Sequence, residues 1–383
     1  MNVYLDYNAS TPVAPPVVEA MLPWFRSSYA NPGSQHGMGR AASAAIRDAR
    51  QSLADLVGVG PAELFFTSGA TEANNLALRG LDPVLLRDRP RIITFETEHP
   101  SVLEPLRSAA DHGAKVDILP VEHSGLIDLA RLEASLGPDV TMVSVMLINN
   151  ETGVIQPIKR IADLAHGCGA LLHSDATQAV GRLPLDLADL GVDLATISAH
   201  KVYGPKGCGA LYVRRGVPLV AVTHGGGQER GLRSGTENVP AIVGFAAAAQ
   251  WAISDLAGET ARVADLRSQL LGDLLGHLNG VEPITPAADT AASSQSPWTL
   301  SVRFRGADAE AVIANAPGLA VSAGSACSSG TPEPSHVLMA MLGDAAAASE
   351  CVRISFGRPT TEAEIQSAAE MLRDSVTHVR TLT

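Results

Sequence analysis

Lys201 is the residue of this chain best suited to nitrogen chemistry. The stretch Leu194-Ala-Thr-Ile-Ser-Ala-His-Lys-Val-Tyr-Gly-Pro-Lys-Gly-Cys-Gly-Ala-Leu-Tyr-Val-Arg-Arg215 brings Ser198, His200 and Lys201 to the end of an apolar run. A Gly/Pro turn then sends the chain back into a second apolar run, Gly209 to Val213. The protein has four lysines, Lys115, Lys159, Lys201 and Lys206, beside many arginines. Arginine serves wherever a permanent charge is enough, but only lysine can lose its proton and form an imine. A lysine in a Gly/Pro loop also serves simply to cap a strand.

A carboxylate upstream favours the chemical reading. His173-Ser-Asp-Ala-Thr-Gln178 ends another apolar run and sets Asp175 about one strand-helix unit before the lysine. A lysine for a Schiff base and an aspartate for a pyridinium nitrogen are the pair that pyridoxal 5'-phosphate requires, because a protonated ring nitrogen makes the ring an electron sink. Glu63-Leu-Phe-Phe-Thr67 reads as a strand, followed by Ser68-Gly-Ala-Thr71 and a helix from Glu72 to Arg79. There, free backbone N–H groups and a hydroxyl converge, an arrangement that binds phosphate. The same run also serves simply as a helix cap.

These groups sit in a regular alternation. Arg91 to Phe95, Lys115 to Val121, Thr141 to Leu147, Gly169 to His173 and Leu194 to Ser198 read as strands; Ser101 to Ala110, Asp128 to Ser135 and Ile158 to His166 read as helices. Such alternation predicts an α/β fold with a mainly parallel sheet, and ligands beyond the carboxyl ends of its strands. Thr71, His99, Asn149, Asn150, Asp175, Gln178, Ser198, His200 and Lys201 all fall at such ends and are expected to form one site.

Beyond the sheet, His224-Gly-Gly-Gly-Gln-Glu-Arg-Gly-Leu-Arg-Ser-Gly-Thr236 is too irregular for a P-loop or a dinucleotide fingerprint. It is either a basic loop near a phosphate or a plain surface loop. Two helices, about Ala241 to Leu256 and Thr260 to Leu278, lead to a small α+β domain. That domain is read as a strand at Leu300 to Phe304, a helix from Ala307 to Ala314, a strand near Leu319 to Ser322, a strand at Cys351 to Phe356 and a last helix from Thr361. The predicted division is a large domain over 16–260, with 1–15 and 261–383 forming the small one. Cys327, in Ser322-Ala-Gly-Ser-Ala-Cys-Ser-Ser-Gly-Thr-Pro-Glu-Pro334, has neither bulk nor regular structure around it to bury it, as a transferring thiol requires. Cys168, Cys208 and Cys351 occupy ordinary places for a small hydrophobe.

Composition narrows the setting. Of 383 residues, 46% are hydrophobic and 18% charged, the balance of a compact protein. A net charge of −12 argues against direct nucleic-acid or anionic-membrane contact. No apolar run reaches the ~18 residues needed to span a bilayer. Met1-Asn-Val-Tyr-Leu-Asp6 lacks a secretory pattern, so the cytoplasm is expected. Without a Cys-x-x-Cys pair, neither a zinc cluster nor a disulfide framework is expected, and no metal site is assigned.

The ordered motifs resemble a known family, the pyridoxal-phosphate cysteine desulfurases of the NifS and IscS type, within the fold-type I aminotransferase superfamily. The similarity runs from Tyr4-Leu-Asp-Tyr through Thr67-Ser-Gly-Ala-Thr-Glu, Thr97-Glu-His, Asn149-Asn-Glu-Thr-Gly, Asp175-Ala-Thr-Gln, Ser198-Ala-His-Lys-Val-Tyr-Gly-Pro-Lys-Gly and Arg233-Ser-Gly-Thr to Gly324-Ser-Ala-Cys and Arg353-Ile-Ser-Phe-Gly-Arg. The resemblance implies a large domain with a seven-stranded sheet. It also implies that Lys201 links to the cofactor and Asp175 pairs with its pyridine nitrogen. His99 would stack on the ring and move protons, and Asn150 and Gln178 would touch the ring substituents. Thr71, Ser198 and His200, with Thr236 from a partner subunit, would hold the phosphate; Arg353, with Asn150, would bind the substrate.

The implied reaction takes L-cysteine to L-alanine and leaves the sulfur on Cys327 as a persulfide. The implied assembly is a homodimer with sites at the subunit interface, passing sulfur to acceptor proteins. Iron–sulfur cluster assembly, tRNA thiolation and DNA phosphorothioation are the destinations such enzymes serve, and the Cys327 loop leans towards the last. A selenocysteine lyase or an aminotransferase on the same fold, or a non-catalytic sulfur-relay scaffold, would share parts of this pattern.

Overall fold

Val140-Thr-Met-Val-Ser-Val-Met146 has little polar surface to offer water, and all seven of its residues are buried. A strand buried on both faces belongs inside a sheet covered by helices. The computed structural model, which describes residues 2–81, 83–111, 113–286, 294–323 and 334–382, places it there. In chain order the elements are β1 (Val3–Tyr4), α1 (Pro15–Arg26), α2 (Gly37–Leu56), β2 (Leu64–Thr67), α3 (Ala70–Arg79), α4 (Pro83–Asp88), β3 (Arg91–Phe95) and α5 (Pro100–Asp111). There follow β4 (Lys115–Leu119), α6 (Leu129–Ser135), β5 (Val140–Met146), α7 (Ile158–Gly167), β6 (Leu171–Asp175), β7 (Leu194–Ser198), β8 (Gly209–Val213), α8 (Val239–Ile253) and α9 (Leu256–His277).

Seven strands pair in the order β2-β8-β7-β6-β5-β3-β4. All are parallel to their neighbours except β8, which runs antiparallel to both β7 and β2. The sheet is therefore the mainly parallel one expected from the strand-helix alternation. Side chains alternate across it. Ile92, Met142, Leu194 and Leu211 join the apolar cluster of α3 and α5. Ile93, Val143, Ala195 and Ala210 join the larger cluster with α1, α2, α7 and α8.

A second core forms from Val3 and Leu5, four residues of α9 and the antiparallel strands β9 (Val281–Pro283), β10 (Thr299–Phe304) and β13 (Cys351–Ser355). Two short strands, β11 (Leu319–Ala320) and β12 (Ser322–Ala323), replace the single strand expected near Leu319 to Ser322. The chain changes partner at Val321: β11 pairs with β1, and β12 with β13. Two helices that the apolar periodicity did not reveal, His336–Leu342 and Ala345–Ser349, precede β13, and the C-terminal helix Glu362–Leu382 covers this sheet. The first is started by the Ser335 hydroxyl, which accepts from the N–H groups of Val337 and Leu338.

The amino-terminal arm belongs to both cores, with Val3 and Leu5 in the second and Tyr7 and Ala14 in the first. Among the described residues no single helix is long and apolar enough to cross a membrane; α8 and α9 meet both conditions only when taken together, across a 70° bend.

Candidate active site

The carboxyl ends of β2, β3, β6 and β7 open onto one cavity of about 550 Å3, a volume typical of small-molecule sites. Nine of the residues picked from the sequence, Thr71, His99, Asn150, Asp175, Gln178, Ser198, His200, Lys201 and Arg353, line it. Thr236 does not; it is exposed in a separate depression beside Trp24 and Tyr29. Cys327 lies outside the described residues.

The floor is built where β2 turns into α3. Gly69 adopts φ 151° and ψ −177°, a region only glycine occupies readily. A Cβ on Gly209 of β8 would lie 2.8 Å from the Gly69 Cα, so Gly209 needs a bare backbone for the strand to pass the turn, whereas Gly69 needs one for its φ. Glu72 closes the turn, accepting from the Ser68 N–H at 2.7 Å and from Arg233 Nε at 2.6 Å. Ser198, at the end of β7, presents a buried hydroxyl without a hydrogen-bond partner, as do Thr177 and the Gln178 carbonyl oxygen. Buried polar atoms in this condition are rare and mark a place for a polar ligand.

Lys201 follows β7 in a short turn and donates from Nζ to the carbonyls of Asn8 at 2.6 Å and Ala9 at 2.8 Å. Asn8 is a fully enclosed residue that the sequence reading missed. Its side-chain amide donates to the Asn150 carbonyl and to Thr299 Oγ1, both at 2.9 Å, and its side-chain oxygen accepts from Arg182. The Asn8 backbone oxygen also accepts from Gln178. One arm residue thus ties the lysine to both cores.

Across the cavity, Asp175 accepts from Asn74 Nδ2 at 2.8 Å and from the Thr177 N–H at 3.0 Å. His99 Nδ1 accepts from the Ser101 N–H at 3.0 Å. Burial, with the Lys201 and His336 charges adding, holds His99 below the usual histidine range despite the opposing pull of Asp175. His200 is brought down to about 4 by burial and by Lys201 and Lys206. Both rings are neutral at physiological pH. His173, inside the sheet, bonds Ser144 Oγ at 2.8 Å and Thr196 Oγ1 at 3.3 Å.

Arg353, on β13, is 3% exposed and donates from Nη2 to Asp6 Oδ1 at 2.8 Å and from Nη1 to the Asn150 carbonyl at 3.3 Å. Its Nε is buried without a partner, and the residue lines the cavity. Burial pushes the Cys208 and Cys351 thiols up to about 12, which keeps both protonated and poorly nucleophilic.

Behind Asn150, burial pushes the Glu151 carboxyl up to about 7, against the lowering effects of the Ser335 hydroxyl and the Arg353 charge. Ser335 donates to that carboxyl. A group whose folded value is raised stabilises the fold while protonated, and this stability is lost as pH climbs from about 4.5 to about 7. Glu151→Gln keeps an acceptor for Ser335 and cannot titrate. It should melt several degrees above the parent at about pH 8 and equally with it at about pH 4.5. Matched thermal scans check this, and identical melting at the higher pH refutes it.

Comparison with known proteins decides the family. The description of the aminotransferase class-V family matches residues 3–367. The chain belongs to that family. A cysteine desulfurase of Frankia sp. (strain EuIK1) is 44% identical over 393 residues, spanning 99% of this chain and 92% of that one. A solved NifS-like protein superposes with a TM-score of 0.92 at 38% identity, covering 99% of this chain and 100% of the other. The structure of SspA in complex with cysteine gives a TM-score of 0.82 at 35% identity over 92% of this chain and 98% of that one. The class-V match and the NifS-like superposition agree with the fold class read from the sequence.

Proposed function

We propose that this protein is a pyridoxal-phosphate-dependent cysteine desulfurase that converts L-cysteine to L-alanine and passes the sulfur through Cys327 to acceptor proteins. The observation carrying this reading is the convergence of Lys201, Asp175, His99 and Arg353 on one cavity, in a chain 44% identical to a cysteine desulfurase.

The residues fit the cofactor. The unpartnered Ser198 hydroxyl, with Thr71 at the start of α3 and neutral His200, suits a phosphate; Asp175 suits a protonated ring nitrogen; Lys201 suits the aldehyde. Once bound, the cofactor supplies an electron sink for the carbanion formed at the substrate Cα.

The chain's own groups do the rest. Arg353 binds the substrate carboxylate, with Asp6 fixing the guanidinium and Asn150 bracing it. Lys201, steadied by the Asn8 and Ala9 carbonyls, takes the Cα proton at Nζ. His99, neutral in its buried setting, would accept and return protons, and Gln178 would help hold the cofactor through its side-chain amide. The Cys327 thiolate then attacks the substrate sulfur: an S–S bond forms, the C–S bond breaks, and its electron pair stays with the carbon skeleton, which is protonated to L-alanine. Cysteine plus enzyme thiol thus gives alanine plus enzyme persulfide.

A homodimer acting in the cytoplasm suits this chemistry. Val13, Val18, Phe25, Tyr29 and Met38 expose large apolar side chains along one stretch, beside the depression that holds Thr236. A second copy covering that stretch would bring Thr236 to the partner's phosphate. The described cysteines are free thiols, as in a reducing compartment. Residues 16–260, and 1–15 with 261–383, serve as the two domains; the separate apolar cores support the break near 260, while the arm 1–15 contributes to both cores.

The test is product analysis of the purified protein with pyridoxal phosphate, L-cysteine and a reducing thiol. Equimolar L-alanine and sulfide are expected. Keto-acid formation that depends on an added keto-acid acceptor, without sulfide, would make the protein an aminotransferase; no turnover of either kind would leave a scaffold.

A further inference from the structure

The hydrogen-bond network behind Asp175 reaches the imidazole on the opposite side of the cavity. Asn74, on α3 and fully buried, donates from Nδ2 to Asp175 Oδ2 and to Ser101 Oγ, each at 2.8 Å. Ser101 Oγ lies 2.8 Å from His99 Nδ1, which also accepts from the Ser101 N–H at 3.0 Å. Every hydrogen in this chain is accounted for. The Asn74 amide cannot be turned round, since its oxygen would then face the Asp175 carboxylate. Both of its hydrogens are used, and its oxygen has no partner. The Ser101 hydroxyl accepts from Asn74, so its own hydrogen points to His99. With a backbone N–H already on the same ring nitrogen, Nδ1 has no room for a proton, and the neutral ring carries its hydrogen on Nε2.

We propose that Asn74 and Ser101 are positioning residues that lock Asp175 and His99 into one frame and fix His99 as its Nε2–H tautomer. This rests on the desulfurase reading for what the frame does: the group under the cofactor nitrogen and the group above the ring keep one spacing, and His99 exchanges protons only through Nε2. An asparagine in mid-helix and a serine two residues after a histidine carry no motif, and neither drew notice in the sequence.

The titratable groups facing His99 are Asp175 on β6, Lys201 after β7 and His336 at the start of its helix, with Glu98 preceding it and Glu104 and Arg79 along the outer groove. Only Ser101 bonds Nδ1, and the nearest of these charges along that side is Asp175, reached through Asn74. Removing the hydroxyl takes away a donor that favours the neutral ring, so the imidazole becomes easier to protonate.

The experiment uses Ser101→Ala, Ser101→Thr and Asn74→Leu in the full chain. Histidine NMR titration of the cofactor-free protein should show the His99 midpoint raised in Ser101→Ala by about half to one pH unit, the worth of one neutral hydrogen bond. In the loaded enzyme the acid limb of kcat should move to higher pH by the same amount. At neutral pH kcat should fall about tenfold with KM for L-cysteine unchanged, the signature of misplaced catalytic groups. Ser101→Thr should restore all three, and Asn74→Leu should lower kcat likewise. An unmoved His99 midpoint and acid limb in Ser101→Ala overturn the proposal even if that variant melts earlier, because a packing role alone would do the latter. The titration needs neither cofactor nor turnover, so its failure is distinct from failure of the desulfurase reading, which would show as a parent protein that releases no alanine.

Discussion

Lys201→Ala is expected to lower alanine formation from L-cysteine by about 10⁴-fold or more, since general base catalysis alone supplies 10²–10⁴ and the covalent link to the cofactor is lost as well. The fold should survive, because Lys201 sits at the edge of a cavity, where its ammonium donates to the Asn8 and Ala9 carbonyls. The near-visible absorption of the lysine-linked cofactor should disappear, and added methylamine should restore part of the rate. Lys201→Arg separates charge from proton transfer: the Asn8 and Ala9 carbonyls keep a cationic donor, yet arginine cannot give up its proton, so the rate should stay near that of the alanine variant. A Lys201→Ala protein that still turned over cysteine at a tenth of the parent rate would remove the lysine from the chemistry.

Cys327→Ser is expected to abolish sulfur release, by about 10³-fold or more, as removal of a nucleophile does in enzymes that form covalent intermediates. A serine hydroxyl is almost fully protonated at neutral pH and is a poor nucleophile towards sulfur. Binding should be spared, so the variant should still change the cofactor spectrum on adding L-cysteine, with an affinity near the parent's. Cys208 and Cys351 cannot take over, as burial holds both thiols up to about 12. Cys168 is half-buried at the end of α7, bonded to the Ala165 carbonyl, and does not line the cavity. Mass spectrometry of the protein after one turnover should find the extra sulfur on residue 327 in the parent and none in the variant. Full sulfide release by Cys327→Ser would point to direct elimination, the chemistry of a β-lyase.

The two substitutions separate two steps of the reaction. In the proposed reaction Lys201 governs the proton at the substrate Cα, and Cys327 the fate of its sulfur. The proposed relay through Asn74 and Ser101 governs neither; its part is to set the geometry in which the first becomes fast.

The sequence by itself determined the sheet and most of its rim. Apolar runs separated by helical periodicity specify strands buried on both faces, and in a parallel sheet their carboxyl ends share one edge. Polar residues placed just after such runs therefore fall along one rim, which is why Thr71, His99, Asn150, Asp175, Gln178, Ser198, His200 and Lys201 could be chosen without coordinates and share one cavity; Asn149, expected with them, does not line it, because its side chain bonds the Thr97 carbonyl and the Glu151 and Thr152 N–H groups. Arg353 came only from the family resemblance, because it lies in a strand of the second core with no local cue.

Tertiary structure alone decided what braces these groups. Asp6 meets Arg353 across 347 positions, and Asn8 meets Thr299 across 291. Asn74 reaches Asp175 only because α3 packs over the sheet in which β6 is central. Periodicity records whether a side chain faces the interior, since burial is a property of each element's own face. A hydrogen-bond partner is a property of two elements, fixed by strand order and by where the arm enters, and those follow from the packing of the whole chain.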